Sequence, residues 1–325
     1  MKTLSFTCKT VTPLVMNGAY GDFPELRPPG IKASLRFWWR ALQGHLTLDQ
    51  LREQESKIFG STKGRSKVLV RLEESIEEKI DPKTCLLPHR NTDREKSPVP
   101  AFISGLSFTI RIDFDEVAIS EEEMKNLFIL GCTLGGWGKR SRRGFGSIAI
   151  MGVTVNGEID NKFEKMPEKL EHIYNLLPKK YFEKANDVIY SNFGRDESYP
   201  YLKSIQIGKE YQTNQNLLTD IISASHEVKE EEYERAKNVA IQKNDFREQY
   251  NRQTKRNESV PNAKRYSNFE KAIGDGNDRF ASPIYVSELG RCTIITTLKS
   301  VPKGRFDENV HGILQTQFKD NLLNP

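Results

Sequence analysis

Hydrophobic and polar residues alternate over several stretches in the first half of the chain, and this period of two predicts β-strands. The first strand begins near Leu4 and ends near residue 12, the second spans residues 68–72, and the clearest spans residues 106–114. A further apolar stretch over residues 147–155 predicts the last strand of this half.

Apolar residues at helical spacing separate these strands. They predict a helix over residues 31–44, a second helical stretch over residues 47–59, and a third helix that begins after Ser120, where Ser120 and Glu123 form a capping box. The resulting order, βαββαβ, is the ferredoxin-like arrangement that RNA-recognition modules share. Residues 79–100 show no period, and we interpret them as a surface loop inserted between the two central strands.

The second half of the chain has a weaker pattern. It predicts helical pieces over residues 164–193, a strand over 202–207, a long helix over 217–250, strands over 282–287 and 292–298, and a terminal helix over 309–323. Residues 251–268 are polar and basic, and we expect them to be mobile or ordered only by a ligand. We therefore predict an α+β protein with a ferredoxin-like domain over residues 1–157 and a second α+β domain over residues 158–325.

Composition excludes several classes of protein. The 325 residues are 37% hydrophobic and 29% charged, which is enough apolar matter for packed cores. No apolar stretch approaches the roughly 20 residues of a membrane span, and residues 1–12 do not resemble a secretory signal. The four cysteines lie far apart without a CxxC pair. We therefore expect a cytoplasmic protein with reduced thiols, no metal site, no cofactor and no membrane association.

Positive charge is concentrated in a few places, although the net charge is only +5. The helix over residues 31–44 carries Lys32, Arg36 and Arg40 at i, i+4 and i+8, on one face. Like charges at this spacing repel one another, and phosphate groups would relieve the repulsion. The alternative is an ordinary solvated basic face. We expect Trp38 and Trp39 of the same helix to lie in the core.

A glycine-rich basic loop over residues 135–146 is the strongest single signal. It combines five glycines with Lys139, Arg140, Arg142 and Arg143. Glycines allow positive φ angles and exposed amides, so the combination fits a ligand lined with phosphates. The alternative is a flexible connection kept soluble by its charge. The spacing excludes a Walker A loop, and the lack of later aromatic residues excludes the stacking strand of an orthodox RNA-recognition motif.

Candidate catalytic groups are few. The five histidines are scattered, and none has the spacing of a metal-ligand pair. His45, just past the basic helix, is a candidate general base for a ribose 2′-hydroxyl, and a surface histidine at a helix end is the alternative interpretation. We assign no catalytic residue and no metal ligand, and a weak ribonuclease activity stays open.

Three segments resemble a family in the RAMP superfamily, the first subunits of the Cmr modules in type III-B CRISPR effector complexes. They are Thr12-Pro13-Leu14 with the run Glu-Leu-Arg-Pro-Pro-Gly-Ile-Lys-Ala-Ser-Leu-Arg-Phe-Trp-Trp-Arg-Ala-Leu at residues 25–42, the loop at residues 139–147, and the run Arg-Phe-Ala-Ser-Pro-Ile at residues 279–284. The resemblance implies two ferredoxin-like domains packed together, the second with a large helical insertion.

The resemblance also implies a function. It indicates a non-catalytic RNA-binding subunit near the 3′ end of the guide RNA, beside other RAMP subunits, which helps to capture target single-stranded RNA for cleavage elsewhere in the complex. Guide–target pairing would then read the sequence, and this chain would hold backbone and shape. The predicted RNA-binding residues are Lys32, Arg36, Arg40, Lys139, Arg140, Arg142, Arg143 and Arg279, with the helical stripe and the loop facing one cleft.

Two alternatives to this function stay open. One is a metal-independent RAMP endoribonuclease that processes guide RNA with His45 as its base. The other is a purely architectural subunit whose basic surfaces meet acidic partner proteins.

Overall fold

The computed structural model of the chain describes residues 1–18, 23–73, 79–86, 99–161, 163, 170–194, 199–251, 253–273, 282–299 and 308–323. The strands are β1 (Lys2–Thr10), β2 (Val68–Leu72), β3 (Ile80–Thr84), β4 (Val99–Phe102), β5 (Ser107–Phe114), β6 (Ile148–Val155), β7 (Glu158–Ile159), β8 (Phe182–Ala185), β9 (Val188–Ser191), β10 (Leu202–Glu210), β11 (Phe246–Asn251), β12 (Arg256–Pro261), β13 (Ile284–Leu289) and β14 (Cys292–Leu298). The helices are α1 (Pro28–Ala41), α2 (Leu48–Phe59), α3 (Glu121–Thr133), α4 (Leu170–Leu176), α5 (Asn214–Gln242), α6 (Ala263–Tyr266), α7 (Phe269–Ile273) and α8 (Glu308–Leu323).

The first sheet has the strand order β2-β5-β1-β6-β7, with antiparallel pairing throughout. Its two central strands are β1 and β5, and β2 and β6 flank them, which is the order expected of a βαββαβ module. The four strands that the alternating pattern predicts in this half of the chain are therefore confirmed. The segment expected to be a plain loop over residues 79–100 contains the two-stranded ribbon β3–β4, which is too short to show a period in the sequence.

Helices α1 and α3 cover one face of this sheet. The side chains of Leu4, Phe6 and Cys8 on β1 are fully buried, and the rings of Phe6 and Phe128 stack with their centroids 4.0 Å apart. Trp38 and Trp39 of α1 are buried as expected. The opposite face carries hydroxyl, charged and aliphatic side chains. No aromatic residue stands at its described positions on β1, β5 and β6, so these positions offer no ring on which a base could stack.

The second sheet has the order β13-β14-β10-β9-β8 and is also antiparallel. Along the chain, β10, α5, β13 and β14 repeat the β-α-β-β order of the first module, while β9 pairs with the other edge of β10. The strands predicted over residues 202–207, 282–287 and 292–298 are confirmed. One core cluster of buried residues runs from Leu4 to Leu298 and joins both sheets.

The expected helical pieces over residues 164–193 need correction. Only α4 is helical in the described part of that stretch, and residues 182–191 form the hairpin β8–β9. Its two-residue turn is Asn186-Asp187, and Asn186 has a φ of 52°. Asparagine tolerates this left-handed conformation, so the Asn-Asp pair was a readable turn signal.

The segment expected to be mobile over residues 251–268 is also different. Helix α5 ends at Gln242 rather than near residue 250, and β11 and β12 then form a second hairpin over residues 246–261. Exposed side chains line both strands. Because neither face is buried, the hairpin leaves no alternation of apolar and polar residues in the sequence.

Two compact units make up the chain. The first comprises Met1–Ile221 and Ile284–Val301 and holds both five-stranded sheets, and the second comprises Ile222–Pro283 and Pro302–Pro325. The boundary predicted after residue 157 lies between the two sheets, inside the first unit. As a division between folding domains it stays a prediction.

A buried carboxylate joins α1 to α2. Glu55 of α2 is 3% exposed, and it accepts hydrogen bonds from Arg36 and from Arg40, whose Nε and Nη2 atoms lie 2.7 and 2.5 Å from its two oxygens. Burial by itself acts to raise the pKa of Glu55, but the hydrogen bonds and charges of the two arginines outweigh it and hold the pKa below the ordinary value. Two of the three charges of the α1 stripe therefore have an intramolecular counter-ion.

A second buried carboxyl lies on β13. Glu288 is 4% exposed, and its Oε2 atom has no hydrogen-bond partner among the described residues. Burial raises the pKa of this carboxyl to about 7. In the folded protein, Glu288 is therefore mainly protonated below about pH 7.

We expect Glu55→Gln to destabilise the protein by about 2 kcal/mol at pH 7. This is less than the ~3–5 kcal/mol of a fully buried pair, because both guanidinium groups are partly exposed to solvent. Since the folded pKa is depressed, the loss should be full above about pH 5 and should shrink as the pH falls through the folded pKa. Urea unfolding at pH 7 and pH 3.5 measures it. Glu53→Gln, on the exposed side of α2, is the control. An equal loss of stability in both variants would contradict a stabilising role for the pairing of Glu55 with Arg36 and Arg40.

We expect Glu288→Gln to stabilise the protein, in contrast to Glu55→Gln. The unfolded chain releases the Glu288 proton near pH 4.5 and the folded chain near pH 7, so wild-type stability falls as the pH rises through this window. The glutamine variant should therefore be more stable at pH 8 by at most about 3 kcal/mol, with no gain at pH 4.5. Urea midpoints at both pH values test this against Glu210→Gln, an exposed position on β10 of the same sheet. A gain independent of pH would refute the raised pKa.

Candidate nucleic-acid interface

The glycine-rich loop over residues 135–146 connects α3 to β6 through one short turn. A single turn of 3-10 helix spans Ser141–Arg143. Arg140 before it and Gly144 after it both adopt left-handed conformations, with φ angles of 58° and 81°. The left-handed arginine is an uncommon conformation for a residue with a Cβ atom, and it reverses the chain so that the four basic residues lie on one turn.

Most of the loop glycines serve close backbone packing. A Cβ atom at Gly138 would lie 2.2 Å from the carbonyl oxygen of Val15, and one at Gly146 would lie 2.0 Å from that of Trp137. The amides of Trp137, Lys139 and Gly146 donate to carbonyl oxygens of the protein itself at 2.7–2.9 Å. The expectation that these amides are exposed to a phosphate is therefore wrong, because the loop uses them to bind its own fold.

The basic side chains of the loop differ in their surroundings. Lys139 is exposed, whereas Arg142 lies over the ring of Tyr285, with its guanidinium carbon 4.7 Å from the ring centroid. Arg143 donates from Nη1 to the carbonyl oxygen of Ile284 at 3.4 Å. Burial lowers the pKa of Arg143 to about 10, and the charges of Arg140 and Arg142 act in the same direction. Arg143 thus anchors the loop to the backbone of β13, whereas Arg142 lies against an aromatic side chain of that strand.

An aromatic pocket of about 180 Å³ adjoins this loop. Its wall includes Phe37, which is half-buried and lies edge-on to Trp38 with ring centroids 5.3 Å apart. The ring of Tyr285 lies 5.7 Å from that of Phe37 and connects the pocket to Arg142. The lining residues are Met16, Gly30, Ser34, Phe37, Trp38, Gly136, Trp137, Gly138, Ser141 and Tyr285. The pocket thus offers aromatic surface and two serine hydroxyl groups beside the basic loop.

The first turn of α1, which borders the pocket, is not an amide-lined anion site. Its first two residues are Pro28 and Pro29, which have no N–H, and no side chain caps the helix. The amides of Gly30 and Ile31 both donate to the carbonyl oxygen of Arg27. Attraction for an anion here must therefore come from side chains.

The cationic stripe of α1 faces away from this pocket. Lys32 donates from Nζ to Ser66 Oγ and to the carbonyl oxygen of Val68, at 2.5 and 2.7 Å. Burial lowers the pKa of Lys32, and the charge of Arg36 adds to the effect. The stripe thus lies against α2 and β2, whereas Ser34 and Phe37, on another face of α1, line the pocket. The expected shared cleft of stripe and loop is not formed there.

The RNA contacts expected of the stripe stay a prediction, because Arg36 and Arg40 keep 40% and 46% of their side chains exposed despite their pairing with Glu55. Arg279, the eighth predicted residue, lies outside the described residues. Sequence reasoning missed Ser34, Ser141 and Tyr285 as neighbours of the loop. The one sequence signal is the position of Ser34, which lies six residues before Arg40 and therefore on a different face of α1 from the cationic stripe.

His45, the candidate base, is packed in an aromatic cluster. Its ring stacks on Tyr181 with centroids 3.9 Å apart and an angle of 11° between the planes. Its Nδ1 atom is buried without a hydrogen-bond partner among the described residues. Burial lowers the pKa of His45, and the charge of Lys180 adds to this. The ring is therefore neutral at pH 7, and it lines neither the aromatic pocket nor the basic turn.

Among the described residues, no group of three or more histidine, cysteine or acidic side chains is arranged to hold a metal ion. In that same part of the chain, no helix has the length and apolar character that crossing a membrane requires.

Comparison with known proteins gives consistent matches. Residues 7–149 match the RAMP superfamily. The CRISPR system Cmr subunit Cmr1-2 of Pyrococcus furiosus is 29% identical over 175 aligned residues, which cover 45% of this chain and 93% of that protein.

Solved structures agree over nearly the whole chain. The crystal structure of Cmr1 from Pyrococcus furiosus, in its apo form, superimposes with a TM-score of 0.56 at 19% identity and covers 99% of this chain and 97% of its own. A chain of the type III-B Cmr-β complex, determined by cryo-EM with cognate target RNA and AMPPnP in the presence of ssDNA, gives a TM-score of 0.52 at 12% identity, covering 97% and 98%. At these identities the likeness shows the fold. The chain therefore resembles the RAMP superfamily over residues 7–149 and has the fold of Cmr1, which confirms the resemblance found in its sequence.

Proposed function

We propose that this chain is a non-catalytic RNA-binding subunit of a type III-B Cmr complex. It lies near the 3′ end of the guide RNA, beside other RAMP subunits, and helps to capture target RNA that other subunits cleave. The observation that carries the proposal is the position of the basic turn over residues 139–143 directly beside the aromatic pocket.

The chemistry of this juxtaposition suits single-stranded RNA. Unpaired bases stack on aromatic side chains, and each such stack contributes about 1–3 kcal/mol. Lys139 and Arg142 stand beside the pocket where they can meet the phosphates of a strand whose base contacts Phe37. The hydroxyl groups of Ser34 and Ser141 can bond to ribose or base edges. Such contacts favour backbone and shape over sequence, as expected where a guide RNA reads the target.

The relatives support the placement in a complex. A structurally similar chain belongs to a Cmr-β assembly bound to cognate target RNA, and a similar sequence is a Cmr subunit of Pyrococcus furiosus. A ribonuclease role has less support. His45 has the neutral ring that a base needs, but it stacks on Tyr181 and lies apart from the basic turn.

Reversing the charge of the loop tests its phosphate contacts. We expect Lys139→Glu/Arg142→Glu to weaken binding of the full chain to labelled single-stranded RNA by about tenfold or more, and to flatten the slope of log K against log salt by about 1.4, or 0.7 per lost contact. Arg143 is left intact because it anchors the loop to β13.

The control for this experiment is Arg52→Glu/Lys57→Glu on α2, which makes the same change in net charge at side chains that are 68% and 66% exposed. Equal losses in both variants would mean that only net charge matters and would contradict the loop assignment. The same gels reveal cleavage. Defined products in EDTA that disappear in His45→Ala would favour the endoribonuclease, and intact, unbound RNA would favour the architectural subunit.

Removing the stacking surface of the pocket should have a different signature. We expect Phe37→Ala to weaken RNA binding by about 5- to 100-fold without changing the salt slope, because a stack neutralises no phosphate. Fluorescence anisotropy across the same salt series measures both quantities. Tyr190→Ala removes an aromatic residue that is 48% exposed on β9 and should have no effect. If Phe37→Ala bound RNA as the wild type does, the pocket would not hold a base.

A further inference from the structure

The hairpin β11–β12 of the second unit presents almost all of its side chains to solvent. Residues 246–250 of β11 are all exposed, and the two strands pair in register from Phe246 opposite Pro261 to Asn251 opposite Arg256. A two-stranded hairpin without a buried face is only marginally stable by itself. Its persistence as an exposed arm therefore points to a role at its surface.

Hydrogen bonds at both ends stabilise this arm. At its base, the carboxylate of Asp245 accepts from Tyr266 Oη at 2.8 Å, from Arg265 at 3.0 Å and from Asn262 at 3.3 Å. Near its tip, Glu258 accepts from Asn251 and from the hydroxyl group of Thr254 at 2.7–2.9 Å. The carboxylates at both ends are thus engaged within the protein.

One face of the hairpin carries two exposed aromatic rings. Phe246 and Tyr250 are 44% and 58% exposed, and alternation along the strand puts both on the same face. The two residues are four positions apart along the strand, which corresponds to about 13 Å. The cross-strand register places Ser259 and Asn257 on this face, with Glu248 between the two aromatic positions. The face thus combines π surfaces with polar hydrogen-bonding groups.

The charge of the hairpin is complementary to a polyanion. Residues 246–261 contain four basic residues, Arg247, Arg252, Lys255 and Arg256, and two acidic residues, Glu248 and Glu258. Lys255 and Arg256 are exposed at the tip, and Arg247 is exposed on β11. Aromatic rings, amide groups and exposed cations on one arm are the combination that binds single-stranded nucleic acid without sequence preference. An acidic protein partner would use the cations but would leave both rings without a matching surface.

We propose that the hairpin β11–β12 is a second RNA contact, in which Phe246 and Tyr250 stack on unpaired bases while Lys255 and Arg256 meet the flanking phosphates. The proposal rests on the proposed function for the class of ligand, but it uses none of the residues of the pocket or of the basic turn. It makes the chain a two-point binder of single-stranded RNA.

The test uses the full chain and a labelled 30-nucleotide single-stranded RNA. We expect Phe246→Ala/Tyr250→Ala to weaken binding about tenfold with the salt slope unchanged, and Lys255→Glu/Arg256→Glu to weaken binding and flatten the slope. Tyr233→Ala is the matched control, because Tyr233 is 44% exposed on α5 of the same unit. Photo-crosslinking with 4-thiouridine RNA should label a peptide from residues 244–262 in the wild type. Phe246→Leu/Tyr250→Leu keeps apolar volume without rings and should bind as weakly as the alanine variant.

The outcomes separate this proposal from the function it rests on. Wild-type RNA binding that weakens in Lys139→Glu/Arg142→Glu but not in any hairpin variant, with no crosslink to the hairpin, would overturn the second contact and leave the proposed function standing. Failure of the wild type to bind RNA at all would defeat both. Unchanged RNA affinity together with lost assembly of the complex in the hairpin variants would assign the arm to a protein partner instead.

Discussion

The indole of Trp38 occupies space that two glycines leave open, and the candidate interface depends on this contact. A Cβ atom at Gly135 would lie 2.7 Å from the ring of Trp38, and one at Gly131 would lie 3.3 Å from it. The same ring lies edge-on to Tyr285 of β13, with centroids 5.2 Å apart. One fully buried side chain thus joins α1, the end of α3, the start of the glycine-rich loop and the second sheet. Because protein interiors are close-packed, a larger residue at either glycine would press on the Trp38 ring and so disturb the elements packed around it.

The sequence predicts the first module well because its elements bury one face each. Leu4, Phe6 and Cys8 alternate, and the structure buries all three against the helices. Ser120 and Glu123 form the capping box that their spacing predicts. The hairpins β8–β9 and β11–β12 were missed for physical reasons. The strands of the first are only four residues long and are marked only by the Asn186-Asp187 turn, and the strands of the second have no buried face.

The candidate site was only partly predictable for a related reason. A stripe of Lys32, Arg36 and Arg40 is visible along one helix, but Glu55, which pairs with two of its members, comes from another helix. Nothing in the spacing of α1 reveals a counter-ion fifteen to nineteen residues away. Similarly, the composition of the loop indicates positive charge and backbone freedom, but not that its glycines pack against Val15 and Trp137. Composition singles out the loop as a candidate, and only the tertiary contacts show how it is held in the fold.

Electrostatics distinguishes the two basic groups of the first unit. On α1, the repulsion between Arg36 and Arg40 is offset inside the protein by a buried carboxylate, so an external anion gains less there. In the loop, burial is the main cause that lowers the pKa of Arg143, and the charges of Arg140 and Arg142 add to it because these cations lie close together. A phosphate placed beside the turn would relieve the repulsion among these cations at the moment of binding. Like charges crowded on this turn would therefore favour the binding of a polyanion, whereas two cations of the α1 stripe already have a counter-ion within the fold.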